Sequence, residues 1–208
     1  MTDLDDDELL TRWRAGDRAA GERLFTRHVK SLFRFFRSKL DDAVAEDLTQ
    51  ATFLAATAAR DSFRGDATLR TFLFAIARKQ LLMHYRSRPK RDREVALDTM
   101  SACDLGASPS SLLRGSEEQR LLLTALRQIP IDFQIAVELY YWEGMSTVAI
   151  AQVLEVAEGT VRSRLARARE RLAELIAELA VSPQIAERTN AGFEDWARSL
   201  AQLDRAAS

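Results

Sequence analysis

The chain of 208 residues contains very few residues that could hold a disulfide framework or a structural metal ion. It has one cysteine, Cys103, and two histidines, His28 and His84. Disulfide frameworks need paired cysteines, and structural zinc sites need about four cysteine or histidine ligands. The sequence therefore excludes both classes of protein, and we expect no metal site.

Long hydrophobic runs are also absent. No apolar segment approaches the roughly 20 residues that a membrane-spanning helix needs. The first residues, MTDLDDDELL, are acidic, whereas a secretory signal begins with basic residues. We therefore expect a cytoplasmic protein that does not insert into a membrane.

The common catalytic motifs are missing as well. The sequence contains no G-x-x-x-x-G-K-[ST] phosphate loop, no G-x-G-x-x-G motif, no H-E-x-x-H zinc motif and no G-x-S-x-G nucleophile motif. Its many carboxylates are explained as charges on helix surfaces. We therefore expect no enzymatic activity and no cofactor.

Glycine and proline are scarce, with eight and four residues, and apolar residues recur every three or four positions. This is the period of an α-helix, and no strand pattern competes with it. In the first part of the chain it predicts helices over residues 20–40, 44–59 and 69–86. The second of these helices places four small or apolar residues on one face, namely Leu48, Ala51, Thr52 and Ala55. The predicted fold class is all-α.

The helical period is lost between Arg88 and Ser116, where prolines, glycines and serines accumulate. This composition predicts a flexible linker. We therefore divide the chain into two small helical domains, the linker and a short C-terminal helical extension, with boundaries at 1–88, 89–115, 116–180 and 181–208. Pro183 is expected to end or interrupt the preceding helix, and the extension is expected to form a helix over about 190–204.

The second domain has the dimensions of a helix-turn-helix. A short helix, STVAIAQVL, is followed by the turn EVAE and by a long helix that begins with GTVRSRLARAR. Ala151, Val153 and Leu154 are predicted to pack against Val161 and Leu165. The residues predicted to point outward from the long helix are Thr160, Arg162, Ser163, Arg164 and Arg167.

Two residues of this motif carry local predictions. Ser146 can cap the short helix through its hydroxyl group. Glu155 lies where the turn could need a positive φ, and a glutamate in that conformation is strained by about 1 kcal/mol or more.

The formal net charge is only −1, but the charges are segregated. Four of the 30 basic residues are lysine, so the positive charge is mainly arginine, and it clusters in HYRSRPKRDR and RSRLARARER. Arginine suits bidentate contacts to phosphates and guanine edges. The clusters are compatible with binding a nucleic acid, and solvated helix faces would explain any single cluster equally well.

Both halves of the chain resemble one known family. The second half, with LRQIP, WEGMSTVAIAQVL and GTVRSRLARARERLAEL, is similar to region 4, the promoter-binding domain of bacterial sigma factors. The first half, with AEDLTQATFLAA and SFRGDATLRTFLFAIARKQLLMHYRSR, is similar to sigma region 2. The resemblance covers about residues 7–179, and because no third domain lies between the two halves, it points to the compact extracytoplasmic-function (ECF) class of the sigma-70 family.

The resemblance implies a sigma factor that binds core RNA polymerase, directs it to promoter DNA and helps to open the duplex. Its implied contacts to the clamp helices of the polymerase β′ subunit are Asp47, Gln50, Phe53 and Thr57. Its implied contacts near promoter position −10 are Phe63, Arg64, Arg70, Arg78, Lys79, Gln80 and Arg86. Its implied contacts near position −35 are Thr160, Arg162, Ser163, Arg164 and Arg167. An anti-sigma factor is a further partner that such a protein can have.

Two other functions stay open at the level of the sequence. A stand-alone helix-turn-helix regulator would bind its operator tightly without polymerase, normally as a dimer on a two-fold site. A pure interaction protein would occupy polymerase without reading DNA. The clamp-binding segment argues against the first alternative, and the arginine face of the second domain argues against the second.

Overall fold

The computed structural model describes residues 4–63, 65–87, 100–102 and 116–191. Within these ranges the regular structure consists of nine α-helices and no strand, which confirms the all-α prediction. The helices are α1 (Asp6–Arg14), α2 (Arg18–Arg37), α3 (Asp42–Ala59), α4 (Leu69–Arg86), α5 (Glu117–Leu126), α6 (Ile131–Tyr141), α7 (Thr147–Leu154), α8 (Glu158–Leu179) and α9 (Pro183–Ala191). Cys103, nearly all of the predicted linker and nearly all of the predicted helix over 190–204 lie outside the described residues.

The helices α1 to α4 form the first unit. Each is preceded by a capping residue, whose side chain accepts a hydrogen bond from the backbone N–H three residues later. This bond satisfies one of the free donors of the first helical turn. These caps are Asp5, Asp17, Asp41 and Thr68. The core between the four helices is apolar and largely aromatic, with Leu24, Phe36, Phe74, Leu81 and Tyr85 almost completely buried.

Helix α1 was not among the helices predicted from the sequence. Its acidic start is a capping box, in which Asp5 accepts from the Glu8 backbone N–H at 2.8 Å and Glu8 accepts from the Asp5 N–H at 3.3 Å. Leu9, Leu10 and Trp13 then face the core and are buried. The acidic run is therefore a helix start, where negative charge is favoured by the helix dipole.

Helix α3 packs through a different face from the one predicted. Its buried residues are Ala45, Thr49, Thr52 and Ala56, so only Thr52 of the predicted face is fully buried. The small side chains let α3 approach its neighbours closely. The hydroxyl groups of Thr49 and Thr52 donate at 2.7 Å to carbonyls one turn earlier in the same helix, which satisfies them inside the core.

The helices α5 to α9 form the second unit around α8. The inner face of α8 is the predicted one, with Val161, Leu165, Ala168, Leu172 and Leu175 all buried. Helix α8 ends at Leu179, four residues before Pro183, and this proline is the first residue of α9. Proline suits that position because its missing N–H would have no partner in the first helical turn.

The two units pack against each other. Helix α4 of the first unit lies along α7 of the second, and α6 is buried on nearly all sides. The polar residues of α6 are buried by the first unit: Glu138 pairs with the Lys39 Nζ at 2.5 Å, and the Gln134 amide donates to the Ser38 carbonyl at 3.5 Å. Charged groups are therefore enclosed between the units together with apolar ones.

Candidate nucleic-acid interface

Helices α7 and α8 form a helix-turn-helix. Ser146 caps α7 as predicted, accepting from the Ala149 N–H at 3.2 Å. Val153 and Leu154 of α7 and Val161 of α8 are almost completely buried, which holds the second helix against the first. The turn between them is only three residues long, because α7 ends at Leu154 and α8 begins at Glu158.

Glu155 adopts the left-handed conformation in this turn, with φ 57° and ψ 43°. It is the one non-glycine residue with positive φ in the described part of the chain. A side chain with a Cβ atom is strained there, as the sequence suggested. The N–H of Glu155 donates to the Ala151 carbonyl and so completes the end of α7.

The exposed surface of α8 carries most of the residues predicted near position −35. Arg162, Ser163 and Arg167 are exposed, and Thr160 is half-buried. Arg162 forms an ion pair at 2.6 Å with Glu158, one turn earlier on the same helix. Such an exposed pair is weak, so the guanidinium remains available to another anion.

Arg164 does not point outward, and this part of the prediction is wrong. Its side chain is only 12% exposed and its guanidinium forms an ion pair with Asp132 at 3.0 Å. The same group lies 6.0 Å from the ring centre of Phe133. The helical period placed Arg164 correctly beside the exposed residues of α8, but Asp132 and Phe133 of α6 lie against that edge of the helix.

Three cations of α4 predicted near position −10 are paired with carboxylates of the second unit. Arg78 binds Asp132 through two hydrogen bonds of 3.1 and 3.2 Å. The other two pairs are Arg70 with Glu143, and Lys79 with Glu155 at 3.2 Å. We call Arg70, Arg78 and Lys79 the α4 cations, and Asp132, Glu143 and Glu155 the carboxylate patch.

Glu143 is the centre of a small charged cluster. It lies just after α6, its side chain is 5% exposed, and it pairs with Arg34 at 2.5 Å as well as with Arg70. Burial alone would raise the pKa of Glu143, but the two guanidinium groups outweigh this effect and hold the pKa below its ordinary value. The Glu143 carboxyl group is therefore ionised at neutral pH.

The remaining residues predicted near position −10 are spread along the first unit. Phe63 is half-buried, and its ring packs 4.6 Å from that of Phe72. Gln80 is half-buried, and Arg86 is exposed at the end of α4. Arg64 lies outside the described residues. The structure thus brings Arg70, Arg78, Lys79, Gln80 and Arg86 onto one helix, while Phe63 lies before it.

The residues predicted to contact polymerase lie on α3. Asp47, Gln50 and Thr57 are exposed, whereas Phe53 is half-buried with its ring 4.6 Å from that of Phe25. Leu54 has 72% of its surface exposed and was not predicted. The positions 47, 50, 54 and 57 follow the i, i+3, i+7, i+10 spacing of a single helix face, so this spacing could have identified Leu54. We call Asp47, Gln50, Leu54 and Thr57 the α3 stripe.

No metal-binding cluster of three or more His, Cys, Asp or Glu residues occurs in the described ranges. No helix in the same ranges is long and apolar enough to cross a bilayer.

Two protein-family models match the chain. The model of sigma-70 region 2 matches residues 24–91, and the model of sigma-70 region 4 matches residues 119–172. The first match contains α3 with the α3 stripe and α4 with its cations. The second contains the helix-turn-helix. Both predicted sigma regions are therefore confirmed in their predicted order.

Relatives match over most of the chain. The ECF RNA polymerase sigma-E factor of Escherichia coli (strain K12) is 30% identical over 175 residues, which cover 80% of this chain and 92% of the relative. The ECF RNA polymerase sigma factor SigM of Mycobacterium tuberculosis is 34% identical over 175 residues, which cover 84% of this chain and 86% of the relative.

Solved structures agree with these relatives. The sigma factor RpoE of Bartonella quintana, in complex with the anti-sigma factor NepR, has a TM-score of 0.58 and 26% identity, and the match covers 76% of this chain and 98% of RpoE. CnrH in complex with the cytosolic domain of CnrY has a TM-score of 0.57 and 26% identity, over 85% and 100% of the two chains. The chain therefore belongs to the ECF group of sigma-70 family RNA polymerase sigma factors, which direct transcription initiation at promoters.

Proposed function

We propose that the exposed face of α8 binds the promoter element near position −35. The observation that carries this proposal is the helix-turn-helix itself, whose second helix presents Arg162, Ser163 and Arg167 to solvent. Guanidinium groups contact guanine edges and phosphates, and a hydroxyl group contacts either. Thr160 and Arg164 complete the set once Arg164 leaves Asp132.

The first unit is proposed to hold the melted strand near position −10. The residues assigned to this role are Phe63, Arg64, Arg70, Arg78, Lys79, Gln80 and Arg86. Five of them share helix α4, and four of these five are cations, while Phe63 lies before the helix. An aromatic ring together with cations suits a single strand, because bases stack on rings while cations follow the phosphates. This set is basic enough to make binding fall steeply with salt.

Core RNA polymerase is proposed to bind the α3 stripe, through the clamp helices of its β′ subunit. An exposed apolar Leu54 among polar Asp47, Gln50 and Thr57 has the character of an interface centre with a polar rim. Phe53, the fourth residue predicted for this contact, lies beside the stripe on α3 and is half-buried, with its ring packed against that of Phe25.

Three finer assignments accompany this proposal. The protein acts in the cytoplasm, it acts by binding rather than by catalysis, and it has an anti-sigma factor as a regulatory partner. The last assignment is supported by RpoE of Bartonella quintana, whose solved structure contains the anti-sigma factor NepR.

Run-off transcription from genomic promoter fragments tests the proposal. Core polymerase is assayed with and without the protein, and with the variants Leu54→Ala and Arg162→Ala. Leu54→Ala should weaken core binding, and Arg162→Ala should weaken promoter selection with core binding intact. The matched controls are Val181→Ala, which also truncates a highly exposed apolar residue, and Arg171→Ala, which removes an arginine further along α8.

Two results would contradict the proposal. If core polymerase gains no promoter specificity while the protein alone binds a DNA fragment tightly, the protein is a stand-alone regulator. If Leu54→Ala and Val181→Ala bind core polymerase equally well, the α3 stripe is not the polymerase contact.

A further inference from the structure

We infer that the free protein blocks its own DNA-binding surface, because the carboxylate patch of the second unit pairs with the α4 cations and so takes the place of DNA phosphates. The inference rests on the proposed function, in which these cations bind the melted strand. The pairs are Asp132 with Arg78, Glu143 with Arg70, and Glu155 with Lys79.

The patch spans several turns of α4. Arg70 and Lys79 are nine residues apart, which is about 13.5 Å along the helix axis at 1.5 Å per residue, and they leave the helix on opposite sides. The three carboxylates come from three separate elements: α6, the segment after α6, and the turn before α8. A guanidinium binds carboxylate and phosphate oxygens through the same forked geometry, so the patch and a DNA strand compete for the same donors.

Asp132 pairs with residues of both proposed DNA contacts: Arg78 belongs to the first unit, whereas Arg164 belongs to the second unit like Asp132 itself. One of its oxygens accepts from the Arg78 Nε at 3.1 Å, and the other accepts from an Arg164 nitrogen at 3.0 Å. Asp132 is 5% exposed, Arg78 is 14% exposed and Arg164 is 12% exposed. A residue assigned to the −10 strand and a residue assigned to the −35 duplex are thus withdrawn from solvent by a single side chain.

The polymerase contact stays open in the same arrangement. Asp47, Gln50, Leu54 and Thr57 are exposed on α3, while α7 and the patch lie against α4 and leave Arg78 14% exposed. Polymerase can therefore bind the closed form, whereas DNA cannot reach Arg78 until the units separate. Arg164 pairs with Asp132 within the second unit, so its release needs DNA to displace this carboxylate as well. This difference sets an order, in which docking on polymerase comes before or with opening, and DNA binding follows.

The contributions of the three carboxylates should differ with their burial. The pair of Lys79 and Glu155 is 63% and 60% exposed, so solvent screens it and its loss should change little. Asp132 and Glu143 are each 5% exposed and each neutralises two arginines. Both arginines on Glu143 belong to the first unit, whereas only Arg78 of the two on Asp132 does, so the expected order of effect is Glu143 first, Asp132 second and Glu155 last.

A fluorescence experiment on the full chain tests the inference. In a Cys103→Ser background, Ala58→Cys on α3 and Ala173→Cys on α8 provide two exposed positions for a donor and an acceptor dye. Energy transfer between them reports whether the units are closed. Anisotropy of a labelled single-stranded DNA 20-mer of mixed sequence, at low salt and without polymerase, reports whether the surface is free.

Asp132→Asn and Glu143→Gln should lower the energy transfer and tighten DNA binding. A closed form populated at about 90% reduces apparent affinity about tenfold, so opening should restore up to about tenfold. The control is Glu174→Gln, which removes the same charge from an exposed pair on α8 without touching α4. It corrects for the general gain in DNA affinity that any lost negative charge brings.

The outcomes separate the inference from the proposed function. If Asp132→Asn and Glu143→Gln are folded by circular dichroism but bind DNA no tighter than Glu174→Gln, the inference is overturned, whether or not energy transfer falls. If the wild-type protein gives no promoter-specific run-off transcript with core polymerase, the proposed function fails instead. Glu143→Gln keeps the test decisive should Asp132→Asn fail to fold, because Asp132 still pairs with Arg78 and Arg164 in that variant.

Discussion

Removing one partner of the ion pair between Lys39 and Glu138 should destabilise the fold strongly, and replacing both partners should restore at least half of the lost stability. Lys39 belongs to the first unit and Glu138 to α6 of the second, and their side chains are 0% and 2% exposed. The Nζ of Lys39 also donates to the Phe35 carbonyl at 2.7 Å and contacts the Ser38 hydroxyl at 3.0 Å. The perturbation is a double-mutant cycle of Lys39→Met, Glu138→Leu and the pair together.

The magnitude follows from burial. Glu138→Leu leaves an ammonium group enclosed without a counter-charge, which costs about 3–5 kcal/mol in comparable cases. Whole domains have a free energy of unfolding of about 5–15 kcal/mol, so this loss is large. The double variant replaces both charges by apolar groups of similar size, and at least half of the loss should be recovered.

The loss of stability caused by Glu138→Leu should also depend on pH. Burial lowers the pKa of Lys39, and the Glu138 carboxylate opposes that shift. Without Glu138 the pKa falls further below the ordinary value of 10.5, so the unfolded chain binds a proton that the folded chain releases. The destabilisation by Glu138→Leu should therefore shrink as the pH rises toward the ordinary lysine value.

The free energies of unfolding in this cycle are measured by urea denaturation, monitored by tryptophan fluorescence and circular dichroism. Glu174→Gln, from an exposed ion pair, is the reference and should lower the free energy of unfolding by less than about 1 kcal/mol. If Glu138→Leu costs no more than this reference, or if the double variant is less stable than both single variants, the reasoning from burial is refuted.

Three further predictions concern local packing, backbone strain and acid stability. Gly21→Ala should cost about 1–3 kcal/mol by thermal unfolding, because a Cβ there meets the Trp13 ring at 2.6 Å, whereas Gly159→Ala meets nothing within 4 Å and should not destabilise. Glu155→Gly should raise the free energy of unfolding by about 1 kcal/mol, since φ is 57° there, and Glu155→Ala should not. The ion pairs of Glu143 should stabilise the fold fully above its ordinary pKa of 4.5 and be lost as the pH falls through the lower folded value, so stability in urea should fall less steeply with acid in Glu143→Gln.

The helices could be predicted from the sequence because their signals are local. Helix α4 spans Leu69–Arg86 as predicted, with Thr68 as its cap and no competing breaker inside. The inner face of α8 was also predicted, since Val161, Leu165 and Leu172 follow a clear helical period. Helix α1 was not predicted, because its acidic first turn served in the sequence analysis only as evidence against a secretory signal.

The pairing between the units could not be predicted in the same way. Asp132 lies 54 residues from Arg78, so no local pattern connects them. Phe53 and Leu54 show the same limit on a smaller scale. Adjacent helix positions differ by about 100° in direction, and α3 is apolar enough that the period alone does not decide which of the two faces solvent.

The ion pairs between the units can be explained by the two states that their arginines must serve, the closed form and the DNA-bound form. Arg78 must stay charged if it is to bind DNA, so any closed form that covers it would enclose a bare cation unless the second unit supplied a carboxylate. Asp132 supplies this carboxylate. Because desolvation offsets much of the attraction in a buried ion pair, this closure is weaker than an apolar interface of the same size. A closed form that opens again on polymerase therefore needs carboxylates opposite its DNA-binding arginines. A carboxylate that pairs with such an arginine also keeps a DNA phosphate from binding there.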